Sequence, residues 1–394
     1  MLRRGPFALC FFLLAACQRT SAPAVADAGV SPVASPPAAA APTVAPPLAP
    51  CKARGLAPLD AALDYLDAGE ALEALACAAQ ASALEPDSAS AHAARGEALA
   101  ELERTAEAQV AYARALALEP GHPEALLGAA HLYAVQLPSS REYDELGALY
   151  AERGLSQPDV SPELLPRLAL VSAIALNDLG EARTALQRAQ LVLARQPGDP
   201  EAAYEKALAL FELCRFAEAR AAFGGLLADT ARGGHVHYHL GLLLEREGKW
   251  AQARTHFDRA RALSPEDFPE PPLPSEAEFR EEVASAVAGL PADMRRDLTG
   301  VPVRAEELPA DADLLSGEPP LSPTILGLFR GPPLSEPCDG TETPCRSVAL
   351  YRLNLARAVR TREELREQIK VTLLHEVGHL RGEDDQELAA RGLE

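Results

Sequence analysis

The sequence predicts a multidomain chain: an all-α superhelix of short repeats followed by a small α+β domain. Three observations predict it. Small residues recur every 34 positions through the middle of the chain, aromatics make up 5% of a chain that is 48% hydrophobic, and a Pro-rich break precedes a C-terminal stretch of different composition. At 394 residues the chain exceeds one ordinary core. Its net charge of -20 argues against nucleic acid as the main partner, because phosphate neutralisation needs an excess of Lys and Arg.

The N-terminus reads as an export signal, residues 1–16. Arg3 and Arg4 precede an apolar run, Phe7 to Ala16, that is short for a membrane span. Leu14-Ala15-Ala16-Cys17 then resembles the bacterial lipobox, in which the Cys is lipidated and becomes the first mature residue. Cys17 is therefore the expected lipidation site, and the lipid the expected contact with the membrane. Gln18 rather than Asp follows it, which points to the outer membrane, facing the periplasm. Residues 17–52 form a tether: 19 of the 33 residues from Gln18 to Pro50 are Ala or Pro. Extended at about 3.1 Å per residue, such a segment spans on the order of 100 Å.

The export signal implies an oxidising compartment for the five cysteines that follow Cys17. Cys338 and Cys345 bracket the turn-rich Asp-Gly-Thr-Glu-Thr-Pro and are the expected disulfide pair. Cys214 falls within the repeats and reads as a small buried residue.

Between residues 53 and 266 the period is explicit. Ala74, Ala81 and Pro86 recur as Ala108, Ala115 and Pro120, and Gly248, Ala253, Ala260 and Pro265 form the clearest copy. An irregular copy, Pro123 to Pro158, carries an insertion near Leu137-Pro138-Ser139-Ser140, which makes about six units. Small residues at these offsets let two helices approach closely, and Pro stops the second. Tyr238-His239-Leu240-Gly241 followed by Gly248-Lys249-Trp250 resembles a tetratricopeptide signature. That resemblance implies a superhelical groove that holds a peptide or protein partner. His235, His237 and His239 sit on variable repeat positions and read as groove or surface rather than as a metal site.

After the acidic, Pro-rich Glu266 to Pro274, a new domain is expected over 275–394. Ala277 to Leu298 has helical spacing, and β-like runs lie at Val301–Arg304, Thr324–Arg330 and Ser347–Leu353. Thr361-Arg362-Glu363-Glu364 is a capping box that opens a helix through Leu365, Ile369 and Leu373 to about Leu380, with Gly382 as its stop.

That helix carries His375-Glu376-Val377-Gly378-His379. Two His four residues apart stack on one helical face and can meet one Zn²⁺ at about 2.0–2.1 Å. The intervening Glu376 is the candidate catalytic residue, able to take a proton from water and pass it to a leaving amine. Gly382 can turn the chain back, so Asp385 is the expected third ligand in an HExxHxxGxxD run, with Asp384 or Glu383 as alternatives. Tyr351 and Arg352 are weaker candidates for stabilising an oxyanion.

These residues, with Leu326-Gly327-Leu328-Phe329-Arg330-Gly331, Leu350-Tyr351-Arg352 and Asp384-Asp385, resemble the small bacterial zincin-like metallopeptidase domain. The resemblance implies a short mixed sheet packed on two helices, zinc held by His375, His379 and Asp385, and Glu376 as the catalytic glutamate. The Cys338–Cys345 loop and Arg381 depart from the family pattern. The functional expectation is a lipid-anchored envelope zinc peptidase whose repeats capture a substrate or partner protein. The alternative is an envelope-assembly scaffold whose zincin domain is structural or weakly active.

Overall fold

A computed structural model of the protein describes residues 49–338, 340 and 344–393. The export signal, Cys17 and the tether up to Leu48 lie outside the described residues. Within them no helix is long and apolar enough to cross a membrane.

Six antiparallel helix pairs run from Pro58–Asp67 and Ala71–Leu84 to Gly233–Arg246 and Trp250–Leu263. The 34-residue period is visible in the backbone. Gly69, Glu103, Gly180, Cys214 and Gly248 stand at equivalent turns between the two helices of a pair, with φ of 71°, 58°, 79°, 56° and 72°. The turn demands a left-handed residue, and Glu103 and Cys214 fill it without the freedom of glycine. Cys214 is thus half-buried at a turn rather than packed in the core. The third pair breaks the pattern: Pro123–His131 runs into a π-helical turn, Leu132–Gln136, before the loop that precedes Arg141–Leu155.

Packing follows volume complementarity. Gly96 on a first helix faces the Tyr112 ring on the second, where a Cβ would come within 2.7 Å, and Gly241 faces Phe257 at 2.6 Å. A disulfide from Cys51 to the fully buried Cys77 ties the segment ahead of the first helix to the second helix. The sequence reading did not pair these two residues.

The C-terminal domain has a three-stranded mixed sheet: β1 (Val303–Glu306), β2 (Gly327–Arg330) and β3 (Ser347–Tyr351), in the order β1-β3-β2. β1 runs parallel to β3 and β2 antiparallel to it. Helix Glu276–Gly289 packs on β1, and helix Arg362–Arg381 on β2 and β3. Their shared core includes Phe279, Val283, Val348, Leu350, Ile369 and Leu373. The single helix expected over Ala277–Leu298 is two, Glu276–Gly289 and Ala292–Asp297, because Pro291 lacks the N–H that would continue the first. The expected strands are shorter or shifted; β3 stops at Tyr351 because Arg352–Arg357 turns into a helix. Cys338 and Cys345 are joined, and Arg346 holds the same loop by donating to the carbonyls of Pro332, Pro333 and Glu336.

The domain is fastened to the last repeats. Arg357 donates to both oxygens of Glu245 at 2.7 Å and lies over the Phe257 ring. Arg246 reaches Pro309 O at 3.1 Å and Asp311 at 2.5 Å.

Candidate metal centre

The capping box at Thr361 and Glu364 sets the start of helix Arg362–Arg381, and Gly382, at φ 92°, ends it. Its apolar face is buried on the sheet, which turns His375 and His379 to the opposite, half-open side. Gly382 reverses the chain into a last short helix, Asp385–Ala390, whose Leu388 is fully buried against Gly378.

His375, His379 and Asp385 converge. The two Nε2 atoms are 3.0 Å apart, and Asp385 Oδ1 lies 3.5 Å from that of His375 and 3.2 Å from that of His379. Each Nδ1 faces a carbonyl oxygen: Leu393 O at 2.5 Å from His375 and Glu383 O at 3.0 Å from His379. A carbonyl only accepts, so both Nδ1 atoms carry the proton and donate it. In the neutral rings both Nε2 atoms then present lone pairs to each other and to a carboxylate. Such a group is repulsive on its own and fits a cation at its centre. Ligand bonds of about 2.0–2.1 Å opening at a tetrahedral angle put donor atoms about 3.3 Å apart, which is the spacing found here. Carbonyl acceptors behind metal-binding imidazoles are the usual means of fixing their tautomer.

The three neighbouring acids have separate tasks. Asp384 caps the last helix, accepting from Glu387 N at 2.9 Å while its own N–H donates to the Glu387 side chain. The Glu383 side chain pairs with Arg391 and its backbone carbonyl orients His379. Asp385, largely exposed, is the acid that faces the imidazoles. Among the described residues this is the group placed to hold a metal ion.

Glu376 is 6% exposed, and its Oε2 accepts from Phe329 N at 2.6 Å, outside the β2–β3 ladder. Burial pushes its carboxyl up to about 8; the Phe329 N–H opposes that, and the Asp385 charge adds to it. Gly327 makes the approach possible, since a Cβ there would meet Thr372 Cγ2 at 2.7 Å and Glu376 Oε1 at 3.0 Å. Neither the Gly327 contact nor the Gly378–Leu388 contact was readable beforehand, because both are defined by what packs against the glycine.

Other candidates have structural employment. Arg352 binds Glu307 and Pro274 O, and Arg330 donates to Glu306, Asp313 and the buried Tyr351 hydroxyl. Arg381 binds Asp293 and Asp297, tying the helix end to Ala292–Asp297. In the last repeat His239 is buried and stacked on Phe223 at 4.9 Å, His237 lies 3.0 Å from His256, and His235 meets Phe268 edge-on.

Comparison with known proteins matches two families to separate stretches of the chain. Residues 298–393 match the zincin-like metallopeptidase family, and residues 59–123, 169–224 and 204–268 match the tetratricopeptide repeat family. No curated protein matches the chain. Among solved structures, it is similar to PilF of Pseudomonas aeruginosa (18% identity, TM-score 0.43, 57% of this chain and 96% of that one). It is also similar to the tetratricopeptide protein YrrB (18% identity, TM-score 0.39, 48% and 93%). A third is PilW, described as a type IV pilus biogenesis factor (18% identity, TM-score 0.43, 53% and 93%). The chain therefore joins a tetratricopeptide repeat array to a zincin-like metallopeptidase domain.

Proposed function

We propose that this protein is a zinc metallopeptidase of the bacterial envelope, held by a lipid on Cys17 at the outer membrane and facing the periplasm. Its repeats take up the protein that is cut, or a partner that delivers it. The observation that carries the reading is the convergence of His375 Nε2, His379 Nε2 and Asp385 Oδ1 at 3.0, 3.2 and 3.5 Å, with both Nδ1 protons committed elsewhere.

Zinc at this site would supply Lewis-acid polarisation of the scissile carbonyl. His375 and His379 would hold it through Nε2 and Asp385 through its carboxylate, which offsets part of the charge. Glu376 lies on the same helix between the imidazoles, anchored through Oε2 by Phe329 N–H; a zinc cation beside it would offset the burial that raises its carboxyl, leaving Oε1 as the atom to take a proton from water and return it to the leaving amine. The Glu245–Arg357 pair keeps the repeats beside the domain, so a chain held by the array stays near the site. The lipobox and the Ala/Pro tether support anchoring at a distance from the membrane.

Two measurements test this. The purified protein should hydrolyse reduced, unfolded casein, lose that activity to 1,10-phenanthroline and regain it with added zinc; hydrolysis that persists under the chelator excludes the mechanism. Mass spectrometry should find an acylated Cys17 at the mature N-terminus, and any other N-terminus removes the lipid anchor.

A further inference from the structure

The sheet has two edges. β2 borders the motif helix; β1 is the opposite edge and is unclaimed by the site. Val348 N–H donates to Pro302 O at 3.0 Å. In this parallel register Arg304 and Glu306 turn their N–H and C=O groups toward β3, so Val303 and Ala305 turn theirs outward. An open groove of about 950 Å³ lies along that edge, between β1 and helix Glu276–Gly289. Val283, Val287 and Val303 line it with apolar surface, and Arg280, Arg295 and Arg304 stand around it, while the acid in its lining, Glu306, is neutralised by a two-point pair with Arg330.

The charge there opposes that of the whole chain, which is -20. Among the described residues Arg295 and Arg304 have no carboxylate within 4.0 Å, and Arg280 only reaches Glu276 at that limit. Arg295 instead donates to the Ala288 carbonyl at 2.7 Å. Guanidinium groups without close counter-ions, an apolar trough and a row of outward backbone donors and acceptors occur together. Each suits a different part of one ligand.

We propose that the β1 edge receives an extended acidic peptide as an added strand. Side-chain parity gives the pattern of that peptide. Val303 and Ala305 point to the face covered by helix Glu276–Gly289, whereas Arg304 points to the opposite face, where at this edge its side chain is exposed. An added strand therefore sets apolar side chains on Val283 and Val287 and carboxylates toward Arg304, with Arg280 and Arg295 at its rim. A fatty-acid carboxylate would use the trough and the arginines but not the outward N–H groups, so the backbone edge favours peptide. This surface stands independently of whether the metal centre hydrolyses anything.

The test is fluorescence anisotropy with the full-length protein and three labelled octapeptides. One alternates Val and Glu, one alternates Val and Lys, and one is the Val–Glu peptide N-methylated at every residue after the first. The Val–Glu peptide should bind saturably, weaken with added salt and weaken at least tenfold in the double variant Arg280→Glu, Arg304→Glu. The Val–Lys and N-methylated peptides should bind at least tenfold more weakly. The proposal is overturned if the Val–Glu peptide does not saturate, if the Lys peptide binds equally, or if the arginine variant changes nothing. Undiminished binding of the N-methylated peptide, with displacement by decanoate, would assign the groove to an acyl carboxylate and overturn strand addition. The N-methylated probe needs no variant protein, so the outcome does not depend on how the double variant folds.

Discussion

Leu388 occupies the space that a side chain at Gly378 would need: a Cβ placed there would meet Leu388 Cδ2 at 2.3 Å. Gly378 lies between the two motif histidines on the helix, and Leu388 lies three residues beyond Asp385. This contact therefore sets how far the third acid stands from the imidazoles.

Gly378→Ala should push the last helix outward, and Leu388→Ala should leave it undocked. We expect either change to weaken zinc binding about 10–100-fold, the range usual for groups that orient metal ligands. Competition with a chromogenic chelator measures it. Unchanged zinc affinity in both variants would mean that Asp385 is positioned by something else.

Asp384→Ala and Asp385→Ala should separate sharply despite being neighbours. The first removes a helix cap worth about 0.5–2 kcal/mol and leaves zinc bound. The second leaves two protein ligands, below the three that catalytic zinc sites use. Zinc stoichiometry after dialysis reads this directly, and the reverse pattern would move the third ligand to Asp384.

The structure explains why the sequence left this choice open. Glu383, Asp384 and Asp385 are equivalent as residue types, and only the cap geometry of a six-residue helix tells them apart. Much else was legible: the 34-residue period, the capping box at Thr361 and the stop at Gly382 are local signals with local causes. The Cys51–Cys77 pairing was not, because spacing does not specify connectivity. Nor was the role of Gly327, which depends on Thr372 and Glu376 arriving from a helix 45 residues further on. The break at Pro291 was written in the chain, but the apolar spacing on either side of it masked it.

Glu103→Gly should stabilise the array by up to about 1 kcal/mol. Glu103 holds φ at 58° in a turn where Gly69, Gly180 and Gly248 stand elsewhere, and relief of left-handed strain exceeds the added backbone entropy. A denaturant midpoint shift with an unchanged slope checks it; a destabilised variant would mean that the Glu103 side chain contributes more than its backbone costs.

Stability should fall with acid through His239. Burial, the largest effect, lowers this imidazole from 6.5 to about 4, with its bond to the His235 carbonyl opposing and the His235 ring adding. Below about pH 6.5 the unfolded chain binds a proton that the folded one refuses, so stability declines as pH drops from 6.5 toward 4. Between pH 7.5 and 5 the loss is about 2 kcal/mol. His239→Phe, which can keep the stack on Phe223, should remove that part of the decline. An unaltered pH profile in the variant would assign the acid sensitivity to other groups.

The central claim is most directly tested by Glu376→Gln, with zinc content and peptide hydrolysis measured on the same preparations. Gln keeps the shape and, at one atom, the acceptor for Phe329 N–H, but cannot take a proton from water. Wild type and variant should each hold one zinc per chain, with hydrolysis reduced about 10²–10⁴-fold in the variant. Equal hydrolysis by the two proteins, or no zinc in either, would contradict the account.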